Sequence, residues 1–192
     1  MKVHSPTRLS GFITLIACLV FALTASADVK LPNVIGSDMV LQRDLPIPIW
    51  GWAEAGEEVS VSFAGQTKKT KAGSDGNWMV KLGALKASAN PSSLTVKGNN
   101  EIKLENILVG EVWICSGQSN MEWNIRGSMN GNEEVAASDQ PLVRLFNVPG
   151  HKVSPLPKER LAIPSKWTAC NPQTSSGFSA VGYYFGRRLQ KE

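Results

Sequence analysis

Ser119 is the residue whose type and setting point most directly to catalysis in this sequence. It lies in the turn Ser116-Gly117-Gln118-Ser119-Asn120-Met121, which directly follows the apolar segment Val112-Trp113-Ile114-Cys115. A turn of small residues at the carboxyl end of a buried strand is where open α/β sheets place their ligands. A serine hydroxyl in this position can attack a carbonyl carbon. The amide of Ser119, at the start of a helical turn, would stabilise the resulting oxyanion.

The residues around Ser119 narrow the type of turn. We expect Gly117 to permit a tight-turn conformation that a Cβ would resist, with Gln118 and Asn120 completing the supporting turn. The turn is not Gly-x-Ser-x-Gly, because Met121 occupies the last position, and this argues against the common α/β-hydrolase arrangement. Taken alone, a Gly-x-Ser tripeptide more often contains a solvated loop serine than a nucleophile.

Residues 1–27 are typical of a signal peptide. Lys2 and Arg8 make a positive start, an apolar stretch follows at residues 11–23, and Ala25-Ser26-Ala27 supplies a cleavage site of small residues. The apolar stretch is shorter than the about 20 residues of a membrane span. We therefore expect export to a periplasmic, extracellular or lumenal location, with no membrane contact after cleavage near Ala27. An uncleaved anchor is the alternative.

Histidine, the usual base beside a serine nucleophile, is scarce in this sequence, and so is cysteine. The two histidines are His4 and His151, and His151 lies in a proline-rich stretch where a histidine is usually solvated. Cys18 would leave with the signal peptide, so the mature chain would keep Cys115 and Cys170. These two thiols could form a disulfide in an oxidising compartment, and the sequence leaves that open.

Composition excludes two classes of protein. The chain has 192 residues, of which 42% are hydrophobic and 19% charged, so it can bury a core and is not disordered. The formal charge of +4 comes without a cluster of lysines and arginines, which argues against nucleic-acid binding. The length predicts one domain, or one domain and part of a second.

The first half of the mature chain has the pattern of short antiparallel strands. Apolar and polar residues alternate at residues 59–63, 94–97 and 102–105, and turn-forming residues separate these runs. This spacing predicts a β-sandwich or barrel. Its tryptophans are interpreted as packing residues rather than as a sugar-stacking platform; they are Trp50, Trp52 and Trp78.

The second half has the pattern of an α/β domain. Residues 107–109 and 112–115 are apolar without alternation, as in a parallel strand buried on both faces. A helix is expected from Asn132 to about Ser138, and a second buried strand at residues 142–146. Ser175 or Ser176 is expected to cap a last helix whose apolar residues recur at helical spacing: Phe178, Val181, Phe185 and Leu189.

Three segments also carry a family signature. They are Gly110-Glu111-Val112-Trp113-Ile114-Cys115-Ser116-Gly117-Gln118-Ser119-Asn120-Met121, the earlier Ser37-Asp38-Met39-Val40-Leu41-Gln42-Arg43 with residues 46–53, and the later Phe178-Ser179-Ala180-Val181-Gly182-Tyr183-Tyr184-Phe185-Gly186-Arg187. Together they resemble the sialate O-acetylesterases of the SGNH (GDSL-like) hydrolase superfamily. The matches run from about residue 31 to the end, and the twelve-residue block around Ser119 is highly specific.

The resemblance implies a fold and a division of the chain. A signal peptide at residues 1–27 would precede an antiparallel β-sandwich-like domain at residues 28–106. Residues 107–192 would be the first portion of a flavodoxin-like α/β/α SGNH hydrolase domain. The expected fold class is thus α/β preceded by β, with only the N-terminal part of the family's length present.

The resemblance also implies a reaction. The family hydrolyses acetyl esters on sugars, typically at the 9-position of sialic acid, without metal or cofactor. Ser119 would be the nucleophile, and its amide would belong to the oxyanion hole. The family's base histidine and orienting Asp form an Asp-x-x-His far downstream, and no such pattern occurs in this chain. We therefore expect the 192 residues by themselves to be an inactive part of an esterase.

Two other functions remain open from the sequence. One is an acetylesterase of the same superfamily that acts on acetylxylan or another acetylated polysaccharide. The other belongs to a different class: a carbohydrate-binding β-module, suggested by the three tryptophans, whose hydrolase half has degenerated.

Overall fold

The computed structural model describes residues 28–148 and 165–192. The predicted signal peptide at residues 1–27 lies outside the described residues, as do His151 and the greater part of the proline-rich stretch. Predictions on those residues stay predictions.

Seven strands in the first part of the chain form two sheets. Their bounds are β1 Val40–Gln42, β2 Ile47–Trp52, β3 Glu58–Phe63, β4 Gln66–Lys71, β5 Asn77–Leu82, β6 Ser88–Lys97 and β7 Glu101–Gly110. Five strands are ordered β1-β7-β6-β3-β4, and β2 pairs with β5 in a second sheet. Among these strands every pairing is antiparallel except β1 with β7, which is parallel. The larger sheet is therefore mixed, where the sequence predicted an antiparallel one.

The two sheets bury a common apolar core. The alternation predicted it: Val59, Val61 and Phe63 point inward from β3, and Leu94 and Val96 from β6. The smaller sheet adds Ile47, Ile49, Val80 and Leu82 from its inner face. The hydrophobic effect on these side chains holds the sheets together.

Two of the three tryptophans of this part pack against the core, as interpreted. Trp78 on β5 is buried in the core, and Trp50 on β2 packs against the same core. Trp52 is half-buried, and its backbone exchanges two hydrogen bonds with Lys30.

The second part combines four short helical segments with two strands. Its elements are α1 Ser119–Glu122, α2 Gly131–Ala136, β8 Gln140–Leu145, β9 Thr168–Cys170, α3 Pro172–Ser175 and α4 Ala180–Lys191, with one 3-10 turn at Ile125–Gly127. A small separate core joins them, made of Ile125, Leu145, Cys170, Ala180 and Tyr183. None of the described helices is long and apolar enough to cross a membrane.

The strand expected through residues 107–115 is shorter in the structure than predicted. Ile107, Leu108 and Val109 are buried as predicted, but they belong to β7, which runs through the predicted boundary at residue 107 and ends at Gly110. Residues 112–115 form no strand and are exposed. The pairing explains this, because β1 ends at Gln42 opposite Gly110 and then turns away with Asp44 at φ 59°. Beyond Gly110 no described strand lies alongside.

The last helix begins differently from the prediction. Ser179, not Ser175 or Ser176, caps α4, with its side chain accepting a hydrogen bond from the Gly182 amide. Ser175 instead ends α3, which Asn171 and Pro172 begin, and its hydroxyl is buried against that of Ser138. Local capping by Asn171 therefore inserts a separate turn before the last helix.

The buried side of α4 was also misassigned. Ala180, Gly182 and Tyr183 are its buried residues, whereas the predicted stripe is 40–50% exposed at its three helical positions, Val181, Phe185 and Leu189. The strand predicted at residues 142–146 is β8, but within it only Leu145 is buried. Both elements present apolar side chains to solvent because no described element covers them.

Candidate active site

Ser119 begins a helical turn, as the sequence predicted. The chain arrives extended at Gln118, with φ −114° and ψ −157°, and α1 starts at the next residue. The Met121 amide closes the turn by donating to the Gln118 carbonyl at 2.8 Å. Ser119 is exposed, and within the described part of the chain neither its hydroxyl nor its amide has a hydrogen-bond partner. Both groups can therefore engage a bound molecule.

The supporting turn has a different geometry from the one expected at Gly117. The backbone of this glycine is not left-handed, so the predicted conformational reason is wrong. A Cβ at this position would lie 3.4 Å from the Cβ of Met121, an ordinary contact. Gln118 and Asn120 are exposed on either side of Ser119.

Helix α4 supports the segment that leads to Ser119. The ring of Trp113 meets that of Phe185 edge-on, with centroids 5.1 Å apart. Two residues further along, Cys115 lies against Gly182, where an added Cβ would come within 3.4 Å of the Cys115 Sγ. The absence of a side chain at Gly182 lets the segment approach the helix closely.

The same helix holds the chain that leaves Ser119. The Ser179 hydroxyl donates to the Met121 Sδ at 3.3 Å, and the Ala180 amide donates to the Trp123 carbonyl at 2.8 Å. Ser119 is thus flanked by contacts with α4 and its cap, two before it and two after it.

The seven-stranded part of the chain at residues 28–110, called the β-domain below, holds the start of the segment. The Gln42 Oε1 accepts a hydrogen bond from the Val112 amide at 2.9 Å, and its Nε2 donates to Glu111 at 3.1 Å. Arg43 forms an ion pair with Glu111, with Nε to Oε1 at 2.5 Å. The hydrogen bond from Arg43, and next that from Gln42, lower the pKa of the Glu111 carboxyl. Glu111 is therefore held ionised between two side chains of the 37–43 segment.

Arg144 on β8 makes the other link to the β-domain. Its guanidinium is almost fully buried and donates to the backbone and side-chain oxygens of both Asp38 and Asn106, at 3.2 to 3.3 Å. Its Nε donates to the Pro141 carbonyl at 2.9 Å. Burial lowers the pKa of Arg144, and the nearby Asp38 carboxylate opposes that shift. This is a charge-assisted network with its donors satisfied.

No histidine is among the described residues. Both histidines of the sequence lie outside them. Within residues 28–148 and 165–192, no group of three His, Cys, Asp or Glu side chains could hold a metal ion. The described residues thus hold Ser119, the predicted nucleophile, and the contacts that support its turn, and they include no histidine.

The two described thiols are free. Cys115 is exposed, while Cys170 is buried and donates to the Ser138 carbonyl at 3.3 Å. Burial, followed by the charge of Asp139, raises the pKa of Cys170 to about 11.

Two clefts lie elsewhere on the surface, and Ser119 lines neither. One, of about 360 Å³, lies over the smaller sheet between Trp50, Asn77 and Met79. The other, of about 510 Å³, lies between β9 and the turn before α4, and Lys166, Gln173 and Phe178 are among its lining residues.

The sequence analysis assigned no role to three residues whose contacts hold the chain around Ser119. Gln42 and Gly182 both stood inside recognised segments, and neither was assigned a contact. Arg144 had the clearest signal, because it is a charge within the apolar run Leu142-Val143-Arg144-Leu145-Phe146.

Comparison with curated proteins identifies relatives of this chain. The sialate O-acetylesterases of Pongo abelii and Homo sapiens are each 28% identical to it over 86% of its length. That of Mus musculus is 30% identical over 75% of the chain. Among solved structures, a carbohydrate acetylesterase from Xanthomonas citri matches with a TM-score of 0.80 and 38% identity, covering 85% of this chain. No protein-family model matches.

The matches cover most of this chain and a minor share of its relatives. The chain spans 35% of the length of the Pongo abelii and Homo sapiens proteins, and 38% of the Xanthomonas citri chain. The resemblance read from the three sequence segments is confirmed.

Proposed function

Since this chain is related to the sialate O-acetylesterases, we propose that it carries the nucleophile of a carboxylic ester hydrolase that removes O-acetyl groups from sugars. The observation that carries the proposal is the setting of Ser119. It is exposed at the start of α1, with an unpartnered hydroxyl and amide in the described chain, on a segment anchored to both α4 and the β-domain.

The proposed chemistry is acyl transfer in two steps. The Ser119 Oγ attacks the acetyl carbonyl carbon while a base takes its proton, and the Ser119 amide stabilises the oxyanion. The tetrahedral intermediate collapses, the sugar hydroxyl leaves with a proton, and an acetyl-serine ester remains. Water then attacks this ester, releasing acetate and restoring the serine. A histidine oriented by an Asp would serve both steps.

The base and its Asp would come from polypeptide equivalent to the remaining length of the relatives. The chain spans about a third of those proteins, and it contains no Asp-x-x-His. By this proposal the 192 residues alone are inactive.

The exposed apolar residues of the second part support the same proposal. Ile114 is 93% exposed and Trp113 58%, beside the half-exposed stripe of α4. Soluble proteins seldom leave such patches uncovered. In a flavodoxin-like α/β/α domain, residues 112–115 would be an inner strand with neighbouring strands paired to its edges, and helices on the two faces of the sheet would cover these side chains.

The relationship to the sialate O-acetylesterases supports a proposal for the substrate, and the predicted signal peptide supports one for the location. We propose an acetylated sialic acid as substrate, with acetylxylan or another acetylated polysaccharide as the alternative. The predicted signal peptide would place the reaction outside the cytoplasm.

A binding function is the alternative of another class. Trp50 and Met79 lie opposite each other on the outer face of the smaller sheet, where they line the cleft with Asn77. An aromatic face beside an amide could stack on a sugar ring. Glycan binding by residues 28–110 that is lost in a Trp50→Ala variant, without any acetyl release, would favour this reading.

Two experiments test the esterase proposal. The first reads the encoding DNA past the codon for residue 192. A continuous frame that contains an Asp-x-x-His supports the proposal, and an immediate stop codon contradicts the part of it that assigns the base to further polypeptide.

The second experiment measures acetate release from 9-O-acetyl sialic acid, acetylxylan and p-nitrophenyl acetate by the protein of the relatives' length. Ser119→Ala should lower the rate by about three orders of magnitude or more. Ser92→Ala, an exposed serine on β6, serves as the matched control and should retain full activity. Undiminished turnover by Ser119→Ala would overturn the assignment of the nucleophile.

A further inference from the structure

The segment between β7 and Ser119 has no secondary structure to hold it. Residues 111–118 are all exposed and join no described strand or helix. A catalytic serine must nevertheless be held within a fraction of an ångström of its working position. Its position must therefore come from tertiary contacts at particular residues.

Gln42 extends the β1–β7 ladder by one side-chain hydrogen bond. The parallel ladder ends where Gln42 faces Gly110, and the Arg43 amide still donates to the Gly110 carbonyl at 2.9 Å. The backbone then turns away at Asp44. At that point the Gln42 carboxamide takes the place of a strand and accepts the Val112 amide. The first residues after β7 are thus fixed by a side chain.

Arg144 fixes the supporting helix to the same place. Its partners Asp38 and Asn106 both have left-handed backbones, at φ 65° and 59°, and the Asn106 side chain also donates to the Asp38 carboxylate. These contacts place the carbonyl and carboxylate oxygens of two turns around the Arg144 guanidinium. Arg144 lies on β8, which packs against α4.

Two links, the one from Gln42 to Val112 and the one from Arg144 to Asp38, therefore both involve the short segment from Asp38 to Arg43. One of them sets where the Ser119 segment starts, and the other sets where the helix beneath it lies. We propose that Gln42 and Arg144 are positioning residues through which the β-domain determines the location of Ser119. The inference rests on the proposed function only for the role of Ser119, and the juxtaposition of segment and helix can be tested separately.

A disulfide between the segment and the helix can report this juxtaposition. A Cβ at residue 182 would lie 3.5 Å from the Cβ of Cys115. That separation is within the range of about 3.5 to 4.5 Å found in disulfides. In a Gly182→Cys variant of the full chain, oxidation by glutathione disulfide should link residues 115 and 182. Quenching at timed intervals and peptide mapping by mass spectrometry give the rate.

The two positioning residues are then replaced in this background. Gln42→Ala should slow closure by about fivefold, as expected for the net loss of the hydrogen bonds to Val112 and Glu111, and Arg144→Met should slow it by about tenfold or more. Gln42→Glu keeps an acceptor for the Val112 amide but sets a second carboxylate against Glu111, so closure should stay slower than in the parent. Lys103→Met is the matched control, because it removes an exposed ion pair with Glu105 away from the segment.

The outcomes separate positioning from general stability. Slower closure in variants whose thermal midpoint stays well above the assay temperature supports the proposal. Closure as fast in Gln42→Ala and Arg144→Met as in the parent contradicts it, as does a Gly182→Cys variant that forms no 115–182 bond. If Arg144→Met does not fold, the closure rates of Arg144→Lys and Gln42→Ala test the proposal instead. Ser119→Ala should leave the closure rate unchanged, so a failure of the nucleophile assignment would not be mistaken for a failure of this one.

Discussion

Trp113 meets Phe185 edge to face, with ring centroids 5.1 Å apart and an angle of 88° between the rings. The two residues are far apart in the sequence, one before Ser119 and the other on α4. Their contact places the segment that carries the serine along the outside of the last helix. An edge-to-face pair is directional, so it sets the orientation of the segment as well as its distance from the helix.

Removing the Phe185 ring should loosen this contact. For Phe185→Ala we expect a loss of about 1 kcal/mol from the ring pair in addition to the lost burial, measured by urea unfolding. Leu189→Ala is a matched control, since it lies one turn further along the same face with nearly the same exposure. An equal loss in the two variants would show that the ring contact contributes nothing beyond burial.

Gly51 should be the least replaceable glycine of the β-domain. An added Cβ would fall 2.1 Å from the Lys30 carbonyl oxygen and 3.0 Å from the Trp78 ring. We expect Gly51→Ala to cost about 2 to 3 kcal/mol, seen as a lower thermal midpoint. Gly177→Ala meets nothing within 4 Å and should change stability by less than about 0.5 kcal/mol. A wild-type midpoint for Gly51→Ala would rule out the close approach.

The two thiols should differ in reactivity. At pH 8, iodoacetamide should label the exposed Cys115 in the folded protein and leave Cys170 unlabelled, because burial keeps Cys170 protonated. Peptide mapping separates the two sites. Labelling of Cys170 at the rate of Cys115 would contradict the buried environment.

Cys170 also predicts a loss of stability at alkaline pH. Its folded-state pKa of about 11 lies above the ordinary value of about 8.5, so burial favours the neutral thiol. The contribution is therefore complete below about pH 8.5 and is lost as the pH rises towards about 11. A Cys170→Ala variant should show a weaker decline in thermal midpoint over this interval. The same decline in both proteins would assign it to other groups.

Glu111 predicts the opposite dependence at acid pH. Its pKa is lowered by the hydrogen bond from Arg43 and then by that from Gln42, so the charged form is favoured in the folded state. The contribution is present above the ordinary glutamate pKa of about 4.3 and is lost as the pH falls through the lower folded value. Unfolding curves of the parent and Glu111→Gln should differ at pH 7, and the difference should be smaller at pH 3. Curves that differ equally at both pH values would contradict this.

Much of the β-domain could be predicted from local pattern. The alternation at residues 59–63 and 94–97 placed the buried side chains correctly, because a strand sends successive residues to opposite faces wherever it lies. The parallel pairing of β1 with β7 could not be predicted, since 58 or more residues separate the two strands and no local pattern records which distant strand will lie alongside.

The second part was predicted less well for the same reason. Residues 112–115 have the composition of a buried strand, but a strand exists only where another strand pairs with it. On α4 the helical periodicity of Val181, Phe185 and Leu189 was correct, and the side that the described structure buries is the one with Tyr183. Periodicity shows that a helix has an apolar face, while burial depends on what packs there.

The sequence by itself determined the family relationship, the β-pattern of the first domain, and Ser119 as the candidate nucleophile at the start of a helical turn. These depend on the identity and order of neighbouring residues. Only the tertiary structure decided that Gln42, Arg144 and Gly182 hold that turn in place. Their contacts join parts of the chain up to 106 residues apart, and such contacts exist only once the chain has folded.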